Sequence, residues 1–107
     1  MDLLVTDDHD GEGAFPEFPK GTAVENVVPN DEYPHWMECT IDDMETFIPD
    51  VYISDGTLVV EYNPTELVIA KGAVVELQKV VYEWLFVKTK NGVSGWLPAS
   101  KTFSIPK

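Results

Sequence analysis

The stretch "GVSGWLPAS", residues 92–100, decides how this chain reads. Asn91-Gly92 is a dipeptide suited to the positive φ angles of a tight hairpin turn. Gly95 ends a hairpin strand beside Trp96, and Trp96 and Leu97 read as wall residues. Pro98 cannot donate to a ladder, so it marks where the strand stops. A one-turn helix leading into a last strand is the expected continuation. "TFIPDVYIS", residues 46–54, repeats the apolar-then-Pro order earlier in the chain.

Working outward, prolines at 16, 19, 29, 34, 49, 64, 98 and 106 leave few windows for a helix. The longest Pro-free window, 65–97, is rich in Val, Leu, Ile, Tyr and Trp and is punctuated by "KG" and "NG". That pattern predicts strands broken by turns, near 57–62, 74–80, 83–89, 93–97 and 101–104. Gly21 and Gly72 each fit a tight turn into a strand.

Four blocks recur in the same order. "LLVTDD" (3–8) aligns with "LVVEYN" (58–63), and "KGTAVENV" (20–27) with "KGAVVELQ" (71–78). "YPHWMECT" (33–40) aligns with "VYEWLFVK" (81–88), and "FIPDVYI" (47–53) with "WLPASKT" (96–102). The blocks imply two homologous units, 1–54 and 55–107, with "SDG" at 54–56 as a junction too short for a flexible linker. Units of that size bury a modest fraction of their surface and gain by packing together.

The net charge of −12 is unevenly spread. Residues 1–54 carry fourteen acids and one lysine; residues 55–107 carry five acids and six lysines, and the chain has no Arg. A phosphate-binding surface needs clustered cations, which argues against nucleic acid and anionic membranes as partners. The acidic half reads either as a solvated face or as a surface for a basic partner. Cys39 is the single cysteine, so no internal disulfide forms. No apolar run reaches membrane-spanning length, and "MDLLVTDDHDG" lacks signal-peptide features. A cytoplasmic protein is the expectation.

The order of motifs resembles a Src-homology-3 (SH3) domain, and the duplication resembles a bacterial tandem of such barrels. "LVVEY" stands where the family opens, "ELVIAKGAVVEL" stands for its loop and "KG" turn, "EWLFVK" for the Trp strand and "NGVSGWLPAS" for the close. The resemblance implies an all-β fold of two five-stranded SH3-like barrels packed in tandem. It also implies grooves in which aromatic side chains hold a proline-rich ligand and an acidic loop holds a ligand cation.

Carried onto this chain, the first barrel would use Trp36, Pro49 and Tyr52, with Asp7, Asp8, Asp10 and Glu12 as its acidic loop. Its opening strand has no Tyr. The second would use Tyr62, Trp84 and Pro98, with Lys101 where the family's groove Tyr stands. The expected ligand is a peptide or protein, proline-rich or basic. Two other roles stay open: a structural or self-assembly domain with covered grooves, and a cell-wall-targeting module. The oligomeric state is also left open.

No paired acid and base, phosphate loop, nucleophile elbow or cofactor motif occurs, so no enzyme and no cofactor are expected. His9 sits in "DDHDGEG", which lacks the spacing of a calcium loop. His9 and His35 are not spaced as a zinc pair, so no metal is expected either. Cys39 reads as a small apolar strand residue.

Overall fold

The computed structural model describes residues 1–11 and 15–105. The described residues form ten β-strands and two short 3-10 turns, with no α-helix. The chain is all-β; its last four strands start and stop close to where the sequence pattern places them, whereas the strand expected over 57–62 is only Thr57–Leu58.

The chain divides into two compact units, Met1–Phe15 with Thr65–Lys107 and Pro16–Pro64. This division differs from 1–54 and 55–107. In the first unit, strands β1 (Asp2–Val5), β7 (Val74–Val81), β8 (Trp84–Thr89), β9 (Ser94–Pro98) and β10 (Thr102–Ser104) form one sheet. Its order is β10-β1-β7-β8-β9, and every pairing is antiparallel. The opening strand of the chain therefore lies inside the sheet made by the closing strands. Its apolar alternation suits it to a place over a core. Leu3 and Val5 are buried while Asp2 and Leu4 face out, as a strand with one face on a core requires. Leu3 and Val5 join Leu67, Val75, Leu85, Val87 and Leu97 in one core cluster.

Gly95 shows what the opening motif is for. The segment Thr65–Leu67 runs parallel alongside β9, with Trp96 N–H donating to Thr65 O at 2.8 Å and Leu67 N–H to Trp96 O at 3.2 Å. A Cβ at Gly95 would lie 2.8 Å from Leu67 Cγ and 3.0 Å from Thr65 O, so glycine permits this close approach. The β8–β9 turn differs from a two-residue hairpin turn. Thr89 N–H donates to Val93 O at 2.8 Å, and Gly92 alone has positive φ, at 85°. This is the three-residue loop with a left-handed glycine.

The second unit holds a sheet of β2 (Glu25–Pro29), β3 (Trp36–Ile41) and β4 (Met44–Pro49), in that order, and a hairpin of β5 (Ile53–Ser54) and β6 (Thr57–Leu58). Bridges Ala23↔Thr57 and Phe18↔Tyr62 join the hairpin arm to the entry segment. "SDG" is not a junction. Asp55 (φ 52°) and Gly56 (φ 76°) form the two-residue turn of the β5–β6 hairpin. Asp42 (φ 51°) and Asp43 (φ 64°) turn β3 into β4 without any glycine, because Asp tolerates the left-handed region.

The placement of β1 has a direct test. Leu4 and Phe103 are Cα partners across β1 and β10 and both are exposed. Facing Cα atoms in an antiparallel pair lie about 4.5–5.5 Å apart, within the range a disulfide spans. The Leu4→Cys/Phe103→Cys double variant is expected to form an intramolecular disulfide on mild oxidation, read as a gel-mobility shift and intact mass. Absence of that bond with β10 otherwise folded would contradict the pairing.

Candidate functional site

Each unit gathers a set of side chains around a Trp–Pro pair at one end of a strand ladder. In the second unit Trp36 on β3 faces Pro49 on β4. Pro49 opens the 3-10 turn Asp50–Tyr52, and Asp50 N–H donates to His35 O at 2.8 Å. Tyr52 ends that turn and meets Tyr62 edge-on, ring centres 5.5 Å apart. Tyr62 O–H donates to Phe47 O at 2.6 Å. Burial of Tyr52 pushes its phenol above the ordinary range. His35 Nδ1 lies 3.2 Å from Asp50 Oδ2 at the surface.

In the first unit Trp84 on β8 faces Pro98 on β9. Pro98 opens the 3-10 turn Ala99–Lys101, and Ala99 N–H donates to Glu83 O at 2.9 Å. Here the neighbours are polar. The His9 ring packs edge-on against Trp84 at 6.0 Å. Lys101 Nζ lies 3.1 Å from His9 Nδ1 and donates to Asp8 O at 3.1 Å. An ammonium can only donate, so Nδ1 accepts and the neutral ring carries its proton on Nε2. That nitrogen lies 3.4 Å from Glu66 Oε1, short of a hydrogen bond. Asp8 also caps the facing loop, its Oδ1 accepting from Lys71 N–H at 2.7 Å.

The grouping of the sequence-derived residues changes. Asp7, Asp8 and Asp10 belong with Trp84 and Pro98, not with Trp36, Pro49 and Tyr52. Tyr62 belongs with Trp36, Pro49 and Tyr52, not with Trp84 and Pro98. Glu12 lies outside the described residues. Trp36, Trp84 and Tyr62 are 6%, 7% and 2% exposed, and both prolines are buried; Tyr52 keeps partial exposure. The three aspartates of the loop are exposed. Sequence reasoning passed over His9 as anything but a metal ligand. Its one signal was its place in the loop that follows the opening strand.

The chemistry open to these groups is limited. Burial, Lys101 and, in opposition, Asp10 act on His9, with a net lowering of its pKa from 6.5. Cys39 is buried on β3, and desolvation pushes its thiol up to about 11, so little thiolate forms at neutral pH. Among the described residues no group of three His, Cys, Asp or Glu side chains is placed to hold a metal ion. No helix among them is long and apolar enough to cross a membrane. No family model, no curated protein and no solved structure matches the chain.

Two outcomes follow. A lowered folded pKa means that His9 favours folding when neutral. Its contribution is complete above about pH 6.5, the unfolded value, and is lost as pH falls through the depressed folded value. Urea midpoints measured between pH 7.5 and pH 5 should fall for the native chain more steeply than for His9→Gln. An equal slope in both would dismiss His9 as the cause. Separately, Cys39 should resist a thiol reagent at pH 8 in the folded chain and react at once in denaturant; fast native labelling would contradict its burial.

Proposed function

We propose that the chain is a non-catalytic protein-interaction module made of two SH3-like barrels that have exchanged their opening strands, with the aromatic grooves packed shut. Matching hydrogen bonds support the pairing of the units. Gly72 N–H donates to Val5 O and Gly21 N–H to Leu58 O, both at 2.8 Å. Val5 N–H donates to Ala73 O and Leu58 N–H to Thr22 O, both at 2.9 Å. The bridge His9↔Ile69 answers to Tyr62↔Phe18, and Trp84↔Pro98 to Trp36↔Pro49. In this correspondence Val5 matches Leu58, two residues away from the Leu3–Leu58 alignment of the sequence blocks. His9, Trp84, Pro98 and Lys101 then occupy the positions of Tyr62, Trp36, Pro49 and Tyr52.

The exchange supplies the second unit with the aromatic residue that the strand "LLVTDD" lacked: Tyr62 arrives from beyond β6. The observation that carries the reading is burial. A ligand platform of the SH3 kind offers the flat faces of its Trp, Pro and Tyr to a proline-rich chain. Here Trp36 and Tyr62 are 6% and 2% exposed and Pro49 is buried, so these side chains act as core. Partners then meet the outer surfaces, and a cytoplasmic setting suits a buried, reduced Cys39.

A second reading has one observation in its favour. Tyr52 stays partly exposed in a unit, Pro16–Pro64, that carries eleven acids against one lysine, a net −10. A basic or proline-rich peptide would find carboxylates there to pair with its cations.

Trp36→Ala separates the two. As a core residue its removal should cost about 3–5 kcal/mol of stability, measured by urea unfolding. As a platform residue it should leave stability nearly unchanged and abolish peptide binding. Amide NMR titration of the labelled chain with proline-rich and basic peptides completes the test. The proposal expects the Trp36 and Trp84 indole signals to stay still; shifts centred on Asp50, Tyr52 and Trp36 would overturn it in favour of the groove.

A further inference from the structure

One surface feature lies outside both aromatic sets. A groove of about 420 Å3 opens on the first unit, between the segment Val68–Val74 and the tip of the β8–β9 hairpin. Val68 and Val93 stand on its walls, 65% and 53% exposed, and Ile69 and Ala73 line it while packing on the core cluster behind. Its base is therefore rigid and its mouth apolar, a combination that marks contact sites. Lys90 lines the rim, and Lys71 lies in the Val68–Val74 segment that walls it, both exposed.

We propose that this groove receives strand β2 of a second copy of the chain, a contact that rests on the reading of the chain as an interaction module. Charge complementarity selects the occupant. The second unit carries net −10; the first carries eight acids and six lysines, net −2, so the complementarity is local, between the lysines beside the groove and the acids of the strand. Strand β2 is exposed along all of its five residues, with Val27 and Val28 37% and 49% exposed. Glu25, Asp31 and Glu32 flank those valines and are exposed. The segment 25–32, "ENVVPNDE", thus presents two apolar side chains between acids, the complement of a valine-walled groove with a lysine rim.

The contact is made by side chains. Pro29 removes a backbone donor from β2, and the register shift between Glu25 and Val28 bends it, so backbone pairing along this edge is blunted. Different surfaces meet in the two copies, so the association runs head to tail and either closes into a ring or extends. Each copy carries −12 overall. At about 0.15 M salt the screening length is about 8 Å, which removes long-range repulsion while ion pairs in contact survive.

Sedimentation velocity of the full chain at that salt tests this, with two charge-reversed variants: Lys71→Glu/Lys90→Glu beside the groove and Glu25→Lys/Glu32→Lys on the strand. All four positions are exposed, so the fold should stand, checked by amide NMR spectra. The native chain should associate with rising concentration. Each variant alone should sediment as a monomer, because its groove and strand now carry like charges. An equimolar mixture should associate again, because each reversed surface finds its complement in the other variant. A native chain that stays monomeric to about 1 mM, or that associates equally well after either reversal, overturns the proposal. If the native chain is monomeric yet a defined protein partner binds its outer surface in NMR titration, the interaction reading stands and this docking falls. If neither occurs, both fall.

Discussion

The insertion of β1 between β7 and β10 is the constraint on which the first unit depends. Leu3 and Val5 fill the core beside Val75 and Val87, and the strand hydrogen-bonds on both sides. The contact joins residues near opposite ends of the chain. Loop closure of that length must precede the burial that compensates it. The second unit has the same dependence in milder form, since Leu58 and Tyr62 reach back to Thr22 and Phe18. Neither 1–54 nor 55–107 holds a complete set of strands for one unit, so neither half of the sequence can close its own core.

The two units put different chemistry on matching backbone. Where a 3-10 turn after proline delivers Tyr52 against Tyr62, its counterpart delivers Lys101 against His9. One set is aromatic and tolerates dryness, with Tyr62 O–H satisfied by a backbone carbonyl. The other is polar, and the pKa of its buried imidazole is lowered first by burial and then by the Lys101 ammonium beside Nδ1. Such a difference is as expected where packing needs volume and a few satisfied polar atoms more than it needs a particular side chain.

Burial also decides what the charges do. The acids of the second unit sit on exposed positions around Glu25, Glu38 and Glu45, whereas six of the seven lysines belong to the first unit, Lys90 among them on the rim of its apolar groove. Segregation of this kind influences association rate and partner choice more than fold stability.

All-β character, the Asn91-Gly92 turn and the grouping of Trp36 with Pro49 and of Trp84 with Pro98 were legible in the sequence, because β-branched composition and Gly/Pro punctuation act over a few residues; the turns at Asp42–Asp43 and Asp55–Gly56 were not. The glycine motif at 92–100 was legible as a turn and a strand end; that Gly95 lets Thr65–Leu67 lie alongside β9 was not. The recurring sequence blocks did not say which sheet "LLV" and "LVV" each join. Both "LLV" and "LVV" satisfy the same apolar pattern, and local patterning cannot distinguish one sheet from its twin. Only the tertiary structure decided that Val5 lies by Ala73 and Leu58 by Thr22, and with it that Asp8 sits beside Trp84's unit and Tyr62 beside Trp36. The physical reason is that strand pairing is non-local: a strand takes the partner that completes a core, and sequence order does not fix which partner that is.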